Sequence, residues 1–122
     1  MEFGRICTLS IEEHDKMIGF LSQLTHVIAV SLMNTHDNAH LVEYTGDSFR
    51  DLTRIAKINE DLWTELFIMN KDILLDEINQ FIDSISHFRD SLEQEDTQEM
   101  KRQFIQSTKR RDKFNKTDAK KR

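Results

Sequence analysis

Apolar residues recur at helical spacing over most of this chain. The clearest run is Leu74, Ile78, Phe81, Ile85, Phe88 and Leu92, whose steps of four and three residues alternate as the seam of one helix does. Leu75 and Ile82 widen that stripe, which predicts a helix over 71–94. A second helix is predicted from Ile11 to Asn34. Its apolar positions, among them Met17, Phe20, Leu24, Val27, Ile28 and Val30, surround most of the circumference. A helix apolar nearly all round is buried on most sides, and in a short chain one route to such burial is pairing with a second copy. Ser10 is its N-cap, and Glu13 stands where a capping box places Glu.

The rest of the pattern fills in around these two helices. Residues 1–10 read as a short strand or extended lead-in, and 35–48 as a polar connector with one helical turn around Ala39–Tyr44. Phe49, Leu52, Ile55 and Ala56 form the inner face of a helix that reaches Ile58. Asn59 caps the next, which carries Leu62, Trp63, Leu66, Phe67 and Met69. Asp96 or Thr97 opens a last helix with Met100, Phe104 and Ile105 inward, and the pattern ends at about Arg111. The fold class expected is all-α, five to six helices.

Composition agrees. The 122 residues include no proline and three glycines, Gly4, Gly19 and Gly46, which argues against a turn-rich β sandwich. A single cysteine, Cys7, excludes an internal disulfide framework and supplies no activated nucleophile. The N-terminus lacks the pattern of a secretory signal, and the uncharged stretch from Met17 to His36, broken by Ser22, Gln23, Thr25 and His26, falls somewhat short of a membrane span. The expectation is a cytoplasmic protein without membrane or nucleic-acid partners.

The net charge of −5 is split. Residues 1–100 carry a balance of −13 and residues 101–122 a balance of +8. A basic end of this kind suits either a solvated helix terminus or a polyanion, and the acidic body favours the former. Residues 113–122 are expected as a basic, disordered tail.

Few residues invite chemistry. His36 and His40 have the i, i+4 spacing of zinc ligands, but there is no HExxH glutamate and no third ligand, so no metal is expected. Ser22 and His26 form a polar strip on an otherwise apolar helix. It is either a satisfied core pair or the lining of a cleft for a polar ligand. Asp47 with Arg50, and Asp51 with Arg54, are i, i+3 pairs. They form either a salt-bridged face or a frame that aims one arginine at a carboxylate, whose geometry the guanidinium fork matches. Neither GxGxxG nor GxxxxGK[ST] occurs, so no cofactor site is expected.

Several segments taken together resemble a known family. They are Glu12-Glu13-His14-Asp15, Ser22-Gln23-Leu24-Thr25-His26, Phe49-Arg50-Asp51-Leu52-Thr53-Arg54-Ile55-Ala56, then Trp63 and Asn70. Their order and spacing resemble the C-terminal helical, or dimerisation, domain of prephenate dehydrogenases, over roughly residues 6–110. Gln23 and Thr25 stand where the family's common S-H-L-P-H has its first His and its Pro. Gly46-Asp47-Ser48-Phe49 stands where G-G-G-F is common.

The resemblance implies an intertwined homodimer and a role in tyrosine biosynthesis, a branch of aromatic amino acid biosynthesis. The family oxidises prephenate to 4-hydroxyphenylpyruvate with NAD and loss of carbon dioxide. An N-terminal nucleotide-binding domain holds the NAD and the catalytic histidine. Residues 1–10 would be the end of that domain or the linker from it, and 11–112 the helical domain. Arg54 matches an arginine that binds a prephenate carboxylate, His26 a pocket histidine, Trp63 a nearby tryptophan, and Asp51 an acidic residue that organises the arginine. Ser22 joins this substrate-binding set. No catalytic residue is expected in this chain, which alone is expected to be inactive. The rival expectation is a non-catalytic helical protein-interaction module.

Overall fold

The structure, a computed structural model, describes residues 10–37, 43–44 and 46–120, and side chains as far as 114. The expected lead-in over 1–9, most of the turn around Ala39–Tyr44, and His40 lie outside the described residues. The described part is helical throughout, with no strand: α1 (Ile11–Ile18), a π-helical turn (Gly19–Leu24), α2 (Thr25–Met33), α3 (Asp47–Thr53), a 3-10 turn (Arg54–Ala56), α4 (Glu60–Met69), α5 (Lys71–Glu93) and α6 (Thr97–Lys120). The all-α expectation of five to six helices therefore holds. The chain divides into two compact units, 1–79 and 80–122, and α5 runs from the first into the second.

Local chemistry explains the starts. Ser10 Oγ accepts from the Glu13 N–H at 3.1 Å and Glu13 Oε1 accepts from the Ser10 N–H at 3.1 Å, a complete capping box. The hydrogen bond from the Ser10 backbone, then that to its hydroxyl, holds the Glu13 carboxyl below its ordinary range. Asn59 Oδ1 accepts from the N–H groups of Asp61 and Leu62, and Asp96 Oδ1 from that of Glu99.

The single regular helix expected over Ile11–Asn34 is corrected in its middle. A π turn replaces α-helix at Gly19–Leu24, so one rod carries two α-helical segments with an altered register between them. Gly19 is buried there because α5 passes close. A Cβ built on it would lie 2.9 Å from Ile73 Cγ2 and 3.4 Å from Asn70 Nδ2. The rod is also longer in apolar terms than its sequence suggested. Ile11–Met33 spans 23 residues with a hydropathy of 1.3 over its most apolar window, long and apolar enough to cross a bilayer by length and composition. Yet Gln23, in its middle, is buried and hydrogen-bonded within the protein.

The first unit buries little apolar surface. Among the described residues of the chain only Leu24, Ala29 and Leu74 are buried apolar side chains. Phe20 and Leu21 on the π turn are more than half exposed, and Ile68 and Met69 at the end of α4 are 66% and 83% exposed.

In the second unit, α6 folds back along the end of α5. The turn between them is a Schellman motif. The Asp96 N–H bonds to the Ser91 carbonyl at 2.8 Å and the Glu95 N–H to the Leu92 carbonyl at 3.0 Å, with Glu95 in the left-handed region at φ 53°. Phe88 meets Phe104 at 5.8 Å. Buried Ser91 accepts from Gln103 at 3.2 Å, and Glu99 accepts from Arg102 through two nitrogens and pairs with His87 at 2.6 Å. Arg102, then His87, lowers the Glu99 carboxyl to about 2. Although the apolar pattern fades at about Arg111, α6 continues as helix to Lys120, through most of the stretch expected as a disordered tail. Lysine and arginine are good helix formers, so loss of apolar periodicity need not end a helix.

Candidate functional site

The site begins at the π turn. Several donors converge on the Ser22 carbonyl, the Thr25 backbone N–H among them. It accepts from His26 Nδ1 at 2.7 Å and from the Thr25 hydroxyl at 2.7 Å. A carbonyl only accepts, so Nδ1 carries the proton in this contact, an assignment from the hydrogen-bond geometry. In the neutral ring that leaves Nε2 as a bare acceptor. What Ser22 contributes here is its backbone rather than its hydroxyl.

His26 stacks on Trp63 of α4, with ring centroids 4.0 Å apart and planes 25° from parallel. Trp63 also meets the edge of Phe67 at 5.7 Å. Both His26 and Trp63 are half-buried, so each ring keeps an open side. Three of the five residues singled out in the sequence, Ser22, His26 and Trp63, are thus brought together.

The other two are on α3 and the 3-10 turn, in a hollow that neither His26 nor Trp63 lines. Asp51 and Arg54, with Thr25, Ile28, Leu52 and Ile55, line a hollow of about 230 Å³ between α2 and the α3 segment. Thr25 precedes His26 in the chain, but successive helical residues point about 100° apart, so the hollow and the stacked rings take different strips of the rod. Asp51 and Arg54 share this hollow without the salt bridge that was one of the two readings of their i, i+3 spacing. Among the described residues, no carboxylate lies within ion-pair distance of Arg54. The reason is local. The α-helix ends at Thr53, whose φ of −103° and ψ of 2° leave helical values, and Arg54 opens a 3-10 turn with different side-chain directions. The result is an exposed guanidinium at the rim of a small concavity.

Two polar residues that hold this region together were not singled out for it in the sequence. Gln23 is only 5% exposed. Its Nε2 donates to the Leu66 carbonyl at 3.3 Å and its Oε1 accepts from Asn70 Nδ2 at 2.9 Å. Asn70 Nδ2 also donates to the Asp15 carbonyl at 3.2 Å. The signal available was the same polar interruption of an apolar helix that drew attention to Ser22 and His26.

Larger hollows, of about 430 and 400 Å³, lie on α6, but every wall residue comes from that one helix, so they are furrows between its long basic side chains. No group of three or more His, Cys, Asp or Glu is placed to hold a metal among the described residues.

Comparison with known proteins agrees with this architecture. Residues 10–106 match the family described as prephenate dehydrogenase, dimerization domain. The chain is 35% identical over 101 residues to a prephenate dehydrogenase of Bacillus subtilis, covering 79% of this chain and 27% of that protein. It is 31% identical over 114 residues to a cyclohexadienyl dehydrogenase of Zymomonas mobilis, covering 88% and 39%. Among solved structures, prephenate dehydrogenase from A. aeolicus, in complex with hydroxyphenyl propionate and NAD+, superposes with a TM-score of 0.76 at 30% identity, covering 84% of this chain and 38% of that one. Synechocystis arogenate dehydrogenase shares the fold, with a TM-score of 0.79 at 18% identity over 87% and 41% of the two chains. The chain spans between about a quarter and two fifths of the length of these relatives. The match over nearly the whole helical region places this chain in the prephenate dehydrogenase dimerization-domain family.

Proposed function

We propose that this chain is the helical half of an NAD-dependent prephenate dehydrogenase, a cytoplasmic oxidoreductase of tyrosine biosynthesis. It supplies the homodimer interface and part of the substrate pocket. The observation that carries the reading is Arg54, an exposed guanidinium with no ion-pair partner among the described residues, at the rim of a hollow whose other wall is the helix that carries His26. Prephenate carries two carboxylates, and a guanidinium held at the pocket wall binds one by two parallel hydrogen bonds and so fixes the molecule's orientation. His26 offers an acceptor at Nε2 for a substrate hydroxyl, Trp63 a flat apolar wall, and Asp51 a negative charge on the wall of the hollow that Arg54 shares.

Nothing among the described residues fits a dinucleotide. The chain's three glycines are scattered and no strand–glycine loop–helix unit is present among the described residues. The reading therefore assigns NAD, which takes up the hydride as carbon dioxide leaves, to the partner nucleotide domain. This chain's residues bind and orient. The scarcity of buried apolar side chains supports an interface with a second copy, since Phe20, Leu21, Ile68 and Met69 find too little cover within one chain.

Arg54→Ala in the enzyme that carries this domain tests the reading. Charged hydrogen bonds contribute about 1.5–3 kcal/mol, so KM for prephenate should rise by about ten- to a hundredfold, with the melting temperature unchanged. An unchanged KM would instead favour a helical interaction module without a catalytic role.

A further inference from the structure

We propose that Gln23 and Asn70 are a positioning pair. They lock the π turn in the register that presents His26, in its Nδ1–H form, to Trp63 and the substrate. The inference rests on the functional reading above and extends it to residues that touch no substrate.

The π turn is where the helix frame is set. One additional residue in the turn re-aims everything after it by about 100°. His26 lies directly beyond it, so its direction depends on whether the turn keeps its π form. An isolated helix has no reason to keep it, because an α-helix gives better backbone hydrogen bonds. Something outside the rod must hold it, and the Gln23 amide is the polar group placed to do so.

The geometry is a double tie. Asn70 Nδ2 donates at once to the Asp15 carbonyl, in the last turn of α1, and to Gln23 Oε1, inside the π turn, at 3.2 and 2.9 Å. One nitrogen thus clamps both sides of the register change. Gln23 Nε2 in turn donates to the Leu66 carbonyl, one turn along α4 from Trp63. His26 is one turn along its own rod from Gln23. The Gln23–Leu66 hydrogen bond and the His26–Trp63 stack are therefore neighbouring rungs between the same two elements, and the first fixes the offset of the second.

Burial makes the tie decisive. At 5% exposure the Gln23 amide has no water to turn to, so each lost partner leaves an unsatisfied group inside the protein. The side chain accordingly holds one orientation, with its oxygen toward Asn70 and its nitrogen toward Leu66. If the π turn relaxed to α-helix, the change of register would re-aim His26 about the rod, parting it from Trp63 and drawing Nδ1 off the Ser22 carbonyl, which keeps the Thr25 N–H and hydroxyl. The imidazole tautomer is therefore a direct report on the turn.

Two variants and two readouts test this. Gln23→Met keeps the side-chain length and removes both hydrogen bonds. Gln23→Glu keeps the shape and the acceptor and removes the donor to Leu66. In this chain labelled with 15N, at alkaline pH, the parent His26 should show a protonated Nδ1. Both variants should move it toward the Nε2–H form with unchanged far-ultraviolet circular dichroism. In the enzyme carrying the domain, both should raise KM for prephenate about tenfold and leave kcat within about twofold, the signature of lost orientation in binding. Should Gln23→Met lose its helical signal, Gln23→Glu decides alone. A retained Nδ1–H form, or an unchanged KM, in a folded variant overturns the proposal. If Arg54→Ala is equally silent, the unchanged KM counts against the functional reading, and the tautomer alone judges Gln23.

Discussion

Replacing Gly19 by alanine sets two known effects against each other. Inside a helix, alanine is favoured over glycine by about 1 kcal/mol, so at an open position the change stabilises. Here the new methyl would lie 2.9 Å from Ile73 Cγ2 and 3.4 Å from Asn70 Nδ2. The Ile73 methyl cannot swing aside, because it branches at Cβ and its χ1 is stiff. The rod must instead move away from α5 by some tenths of an ångström. Overpacking of this kind costs about 1–3 kcal/mol, and the shift also lengthens the Asn70 hydrogen bonds to Asp15 and Gln23. The net expectation is a destabilisation of about 1 kcal/mol, a fall of roughly 4 °C in the melting temperature. Thermal unfolding by circular dichroism at one fixed protein concentration is the assay, since association would otherwise move the midpoint. Ile73→Ala removes the opposing methyl. In that background Gly19→Ala should become neutral or stabilising, which isolates the contact as a coupling between the two sites. A Gly19→Ala chain that melts higher than the parent would refute the close approach of rod and α5.

The hairpin of α5 and α6 should loosen in acid. The folded Glu99 carboxyl sits at about 2, below its ordinary 4.5, so its ionised form adds stability at pH values above 4.5 that is lost as pH falls toward 2. Faster hydrogen exchange at the start of α6 over that window, absent in Glu99→Gln, checks this. Glu95→Gly should raise the melting temperature by a few degrees, because glycine occupies the left-handed cap at φ 53° without the steric cost of about 1 kcal/mol. Light scattering across a dilution series should give about twice 14.5 kDa, with a monomer only at the lowest concentrations, and a monomer throughout would count against the dimer.

The sequence carried the parts of this structure that local chemistry determines. The capping box at Ser10, the cap at Asn59 and the seam from Leu74 to Leu92 all follow from residues close together in the chain. The π turn did not show, because it depends on a buried amide reaching Leu66 and Asn70 and on Gly19 meeting Ile73, which helical periodicity does not encode. The spacing of Asp51 and Arg54 left two readings open for a related reason. Spacing of i, i+3 brings side chains together only while the α-helix lasts, and it ends at Thr53. Within the candidate site, residue types pointed to His26 and to one of the arginines, and the family resemblance to Arg54 and Trp63. That His26 and Trp63 share a stack is a fact of packing between α2 and α4.

That stack has an optical consequence. Trp63 is the chain's single tryptophan, so all indole emission arises at one point, against the imidazole of His26. A molecule that slides along the open face of the indole, or parts the two rings, changes the polarity and the quenching felt by that one fluorophore. The domain thus carries its own unlabelled reporter, and a simple emission titration on the wild-type chain reads occupancy at the spot where His26 and Trp63 meet.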